Sequence, residues 1–262
     1  MLTAGVDLAA ESKGTALAVV SWNATGAVLE ELHLGVADAQ IVETARGVDK
    51  LGIDCALGWP DEFVRFVTAH SNHDPVSPDV DGGMDWRRTL AYRETDREAR
   101  RLTGRWPLSV STDRLGLTAM RCAGLLARLD EAGLRVDRAG DGLVVEVYPG
   151  ATLRLWGFDT AGYRTEPEKR RLLLERLTVA APWLDVGGHS AMVIASSDAF
   201  DAVVAALAAR NAALGLYERP PLAMEERARR EGWIALPSGG LDQLRLAVDS
   251  SFGATTRHNS DE

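Results

Sequence analysis

Five acidic side chains stand where the surrounding sequence calls for apolar ones. Asp7 lies between Val6 and Leu8, Asp54 between Ile53 and Cys55, and Glu146 between Val145 and Val147. Asp198 and Asp201 open the stretch "SSDAFDAVVAALAARNAALG", which otherwise runs almost entirely through Ala, Val and Leu. An ionised carboxylate in an apolar strand or interior is costly unless it is paired or bound to metal, so each position asks for a partner. Positions three apart on a helix share a face, so Asp198 and Asp201 can aim at a common point. Two carboxylates about 4 Å apart repel by about 4 kcal/mol at an effective dielectric of about 20. If the five converge, the cluster must take up protons or bind cations. Mg2+ or Mn2+ suits such hard oxygen donors, and no His or Cys is placed to favour zinc. The matching chemistry is two-metal hydrolysis of a phosphodiester, with one ion activating water and the other stabilising the leaving oxygen.

Each acid also has an ordinary structural reading. Asp7 can face solvent on an edge strand, Asp54 can cap a turn, and Glu146 can pair with an arginine of the central segment. Asp198 and Asp201 can form a capping box, although Ser196 and Ser197 already supply capping hydroxyls.

The elements that must position these acids follow from periodicity. "TAGVDLAA", "TALAVVSW" and "GAVLEELHLG" predict three strands in an antiparallel meander, "DAQIVETARGVDK" a helix, and "LGIDCALGWP" a fourth strand. From about 60 to 140 the pattern loosens into an insertion. "HSNHDPVSPDVDGGMDW" reads as a loop, and helices are expected at roughly 86–102 and 112–132. "GLVVEVYP" predicts a strand ended by Pro149, followed by a helix over about 166–180 and the helix that carries Asp198 and Asp201. Residues 1–252 are expected to form one domain and 253–262 a flexible tail.

The chain has 262 residues and a formal net charge of −9, the wrong sign for nonspecific coating of nucleic acid. The stretch from Trp86 to Arg121 nevertheless holds nine arginines against four acids, either a local basic surface or a helix face with internal pairs such as Glu94 with Arg97 and Glu98 with Arg101. Cys55 and Cys122 lack CxxC spacing and read as small core residues, in keeping with a reducing, cytoplasmic setting. No basic leader precedes the first apolar run, and no run reaches the length of a membrane span.

The order of three meandering strands, a helix, a fourth strand and a final D-x-x-D-A helix resembles the ribonuclease H-like superfamily. Within it, "GVDLA", "IDCALGWP", "RETDREAR", "VVEVYPGA" and "SSDAFDAVVAALAAR" together resemble the DUF429 family of predicted nucleases, over about residues 3–236. The resemblance implies an α/β fold with a mixed sheet, an antiparallel three-strand meander plus parallel strands, flanked by helices and carrying a largely helical insertion. It also implies a nuclease acting on nucleic acid. Asp7 would be the carboxylate shared by both metals, Asp198 and Asp201 would hold one of them, and Asp54 or Glu146 would complete the site. Arg93 and Asp96 of "RETD" match a family feature; Arg93 is assigned to a phosphate contact, with an ion pair as the alternative.

Lys13, in the turn after the first strand, either touches a phosphate or stands in solvent. His70 and His73 have metal-like spacing only if both lie on a helix. Trp59, Trp86 and Trp106 either stack on bases or pack. Two rival functions share these motifs. An actin-like phosphotransferase would need a second Gly-rich phosphate hairpin, which is not found. A non-catalytic nucleic-acid-binding module would use the arginine-rich segment as its contact surface.

Overall fold

The computed structural model describes residues 1–74 and 83–245. Alternating small and branched apolar residues build β1 (Leu2–Asp7), β2 (Ala16–Trp22) and β3 (Ala27–Leu34), which pair antiparallel in succession. Helix α1 (Asp38–Gly47) then returns the chain to β4 (Lys50–Asp54), parallel to β1. β5 (Val144–Glu146) adds parallel to β4, and β6 (Leu184–Asp185) adds parallel to β3. The sheet order is β5-β4-β1-β2-β3-β6, an α/β fold with the expected meander and parallel strands.

Between β4 and β5 run α2 (Asp61–Ser71), α3 (Gly83–Ala91), α4 (Glu94–Thr103) and α5 (Leu115–Glu131). This segment holds more helix than the sequence suggests. α2 falls where no element is expected, and the single helix expected at 86–102 is two. The break comes at Arg93, whose backbone N–H donates to the Asp96 carboxylate at 2.9 Å and so starts a new helix. After β5 come α6 (Pro149–Leu155), α7 (Pro167–Ala180), α8 (Ser190–Ala195), α9 (Ser197–Ala213) and α10 (Glu225–Glu231). Pro149 ends β5 as expected and opens α6 in the first turn, where a missing N–H costs nothing. The expected tail at 253–262 and residues 75–82 of the expected loop lie outside the described residues.

Side chains alternate across the sheet, so each strand serves two layers. Ala4, Val6, Leu51 and Ile53 pack against Ile41 of α1 and Leu125 and Leu129 of α5. Thr3, Gly5 and Asp7 take the opposite face, toward α9, where the Thr3 hydroxyl donates to the Ala206 carbonyl at 3.0 Å. α9 is buried almost all round, as a helix without a polar face must be. It lies directly on the backbone of two strands. Gly5 and Gly52 pair in register, and a Cβ on Gly5 would sit 2.1 Å from the Ala206 nitrogen. On Gly52 a Cβ would sit 2.6 Å from the Ala205 carbonyl oxygen. Glycine on the strands and alanine on the helix permit this approach, which carries the start of α9 to the ends of β1 and β4.

Candidate metal centre

Two residues beyond each glycine, on the same face, stand Asp7 and Asp54, themselves paired in register at the ends of parallel neighbours. Asp201 meets them from α9. Each of the three offers a carboxylate oxygen within 4.8 Å of the others. Ser196 is the helix N-cap, its hydroxyl accepting from the Ala199 N–H at 3.2 Å. Asp201 therefore lies beyond the first turn and is not needed for capping. Asp198 stays outside the triad, half-buried, with the Ser197 hydroxyl donating to it at 3.2 Å. It is still near enough for its charge to raise the pKa of both Asp7 and Asp201.

The electrostatics follow from crowding acids in a poorly solvated place. Burial, then repulsion from Asp54, Asp201 and Asp198, holds the Asp7 carboxyl well above the usual range. Burial pushes Asp54 up to about 7, against the pull of Arg164. Asp201 is raised by burial too, with Arg164 and the Tyr163 hydroxyl working the other way. The Tyr163 hydroxyl donates to Asp201 Oδ1 at 2.8 Å, and Arg164 Nη2 lies 2.9 Å from Asp201 Oδ2 and 3.5 Å from Asp54 Oδ2. Neither Tyr163 nor Arg164 is marked by the sequence, since both sit in the irregular connection between α6 and α7, without periodicity or motif. The pairing of Asp7 with Asp54 does leave a trace there: "GVD" and "GID" repeat the same Gly-x-Asp.

A cavity of about 160 Å³ opens beside the acids. Asp7, Asp54 and Arg164 form one side, and Pro107, Leu108 and Leu115 of the central insertion form another. Larger hollows near Arg138 and Arg230 lie away from the carboxylates.

A family model described as a protein of unknown function, DUF429, matches residues 5–226. The chain belongs to the DUF429 family. Neither the curated proteins nor the solved structures contain a match to it.

In this DUF429 protein two of the expected site residues serve another purpose. Glu146 pairs in register with Ile53, one position short of Asp54, so the alternation of the strand sends it to the face opposite the aspartates. There Arg93 Nη1 and Nη2 donate to its two oxygens at 2.8 and 2.7 Å, and the Leu57 N–H adds a third bond at 3.0 Å. Glu146 is thus an ion-pair partner, and it is Asp54, not Glu146, that lies with Asp7 and Asp201 in the acidic triad. Arg93 takes the ion-pair alternative. Its guanidinium donates to both oxygens of Asp96, both of Glu146 and the Glu231 carbonyl, which uses all five N–H groups. Burial opposes its charge, but the two carboxylates more than offset that and raise its pKa well above the ordinary value.

The remaining candidates are peripheral. Lys13 is exposed in the β1–β2 connection and makes no ion pair among the described residues. α2 ends at Ser71, so His70 and His73 do not share a helical face, and both are exposed. Trp106 stacks on Tyr92 at 4.2 Å, Trp86 meets the edge of Phe66 at 5.6 Å, and Trp59 packs against the α1/α5 core. Much of the arginine excess is spent internally. Arg97 and Arg101 pair with Glu94 and Glu98, and Arg121 ties α5 to Asp38 and to the Ala9 carbonyl. No helix among the described residues is long and apolar enough to cross a membrane.

Proposed function

We propose that the protein is a metal-dependent phosphodiesterase acting on nucleic acid. The observation that carries this reading is the meeting of Asp7, Asp54 and Asp201 within 4.8 Å at the carboxyl ends of two parallel strands. Three hard oxygen donors with raised proton affinity fit Mg2+ or Mn2+, and divalent charge relieves the repulsion that otherwise keeps protons on them. Asp7, Asp54 and Asp201 would hold one ion, and Asp198, beside them at the start of α9, would supply an oxygen for a second. Bound there, the metal would activate a water molecule and stabilise the charge that develops on the phosphate.

The chain's own residues set the rest of the chemistry. Tyr163 fixes the Asp201 carboxylate through its 2.8 Å hydrogen bond, so that the second oxygen keeps a defined direction. The apolar side of the cavity, Leu8, Pro107, Leu108 and Leu115, restricts water beside the reacting bond and leaves room for the nucleotide next to it. Glu146 and Arg93 hold the insertion against the sheet from the other side, keeping that wall in place.

The test is cleavage of single-stranded, duplex, hybrid and branched oligonucleotides with Mn2+ or Mg2+, comparing the wild-type protein with Asp7→Asn and Asp201→Asn. Metal-dependent cleavage lost in both variants supports the proposal. Binding that persists without cleavage in any of the proteins favours the non-catalytic module instead.

A further inference from the structure

We propose that Arg164 is the phosphate-binding residue of this site, and that it exchanges carboxylate for phosphate when a divalent cation binds. The inference rests on the metal-centre reading above. The Arg164 guanidinium bridges Asp201 at 2.9 Å and Asp54 at 3.5 Å, occupying oxygens that a cation would need. A divalent cation held by the same carboxylates repels the guanidinium and competes for their charge, so loading the metal weakens the hold on Arg164 and favours its exchange onto phosphate.

Three features suit Arg164 to that movement and set it apart from Arg93. Its side chain is 49% exposed, whereas the Asp201 side chain it touches is 3% exposed, so leaving the contact buries no orphaned cation. Its backbone is anchored, whereas its side chain is held from the cavity side, by the two aspartates and by the Tyr163 hydroxyl, which accepts from Nε at 3.1 Å. Arg170, buried beneath it, donates to the carbonyls of Tyr163 at 2.7 Å and Arg164 at 3.2 Å, and to those of Ile194 and Ala195 just before α9. Arg164 also borders the cavity together with Asp7 and Asp54, so a released guanidinium stays beside the space a phosphate would enter.

A second arginine lies near the Tyr163–Arg164 element, its Nη1 donating to the Thr160 hydroxyl at 3.2 Å and its guanidinium over the Tyr148 ring. Arg154 of α6 makes no ion pair among the described residues, and its Nε and Nη2 are buried without a hydrogen-bond partner. A Cβ built on Gly150 would lie 3.5 Å from the Tyr163 hydroxyl and 3.6 Å from Arg154 Nη1, which places Arg154 close to the Tyr163–Arg164 element. Arginine's planar fork suits the two free oxygens of a phosphodiester.

The experiment measures binding, not turnover. Calorimetric titration of wild-type protein, Arg164→Ala and Arg164→Lys with Mn2+ alone is followed by titration of the Mn2+-loaded proteins with a nucleoside 5′-monophosphate. Arg164→Ala should bind Mn2+ about tenfold more tightly than wild type, having lost the competing cation, and bind the nucleotide about tenfold more weakly. Arg164→Lys should restore wild-type Mn2+ affinity but only part of the nucleotide affinity. Unchanged or weaker Mn2+ binding by Arg164→Ala overturns the exchange, and unchanged nucleotide affinity overturns the phosphate role. Absence of Mn2+ binding in all three proteins defeats the metal-centre reading itself, an outcome distinct from either.

Discussion

Asp7 and Asp54 stand opposite each other in register on adjacent parallel strands, two residues beyond a glycine pair that lets α9 rest on the sheet. The packing and the site are thus one arrangement. The glycines admit the helix, and the helix brings Asp201 to the two aspartates.

The closeness of α9 makes Gly5→Ala a sharp test of this relationship. The new Cβ would meet the backbone of Ala202 and Ala206 at 2.2 and 2.1 Å, and backbone cannot step aside as a side-chain tip can. Overpacking of this kind costs about 1–3 kcal/mol or more. Chemical denaturation should show that loss, and any protein that still folds should bind Mn2+ more weakly, because α9 must lift from the strands.

The same crowding predicts how stability depends on pH. Asp54 titrates near its ordinary value in the unfolded chain and at about 7 in the folded one, and Asp7 and Asp201 are raised as well. The folded state therefore holds more protons than the unfolded state, so metal-free stability falls as pH rises from about 4 through about 7. Thermal melts in a chelator should show a decreasing midpoint across that window. Saturating Mn2+ should reverse the slope, because metal replaces the protons that the folded acids otherwise keep.

Arg93 and Glu146 should behave as structure rather than as site. Arg93→Met strands two buried carboxylates, and breaking a buried pair in this way costs about 3–5 kcal/mol. Glu146→Gln should leave Mn2+ affinity within about twofold of wild type, whereas Asp54→Asn should lower it about tenfold or more. Unfolding curves and metal titration on the same samples separate the two roles. Equal loss of metal affinity in Glu146→Gln and Asp54→Asn would return Glu146 to the ligand set.

Local pattern is sufficient for the elements whose side chains alternate or repeat. The meander, α1, β4, α7 and α9 lie within a few residues of their expected positions, the strands, α1 and α7 through their apolar spacing and α9 through an apolar run too long for a strand. α2 and the break at Arg93 escape such a reading. The first has a helical apolar spacing, Phe63, Val64, Phe66 and Val67, but buries none of its residues and adjoins a turn-rich stretch, and the second depends on one side chain capturing one backbone N–H.

For the site, the sequence by itself determined which residues have no comfortable place in an apolar core: Asp7, Asp54, Glu146, Asp198 and Asp201. Only the tertiary structure decided which of them meet. A strand's pairing register is a long-range property, and a shift of one residue sends a side chain to the other face, so Glu146 and Asp54 look alike in sequence yet part company in the sheet. Arg93 and Arg164 part in the same way. Both are arginines near acids, but one is enclosed with every donor used and the other rests half in water, and that difference in solvation is created by chain segments distant in sequence.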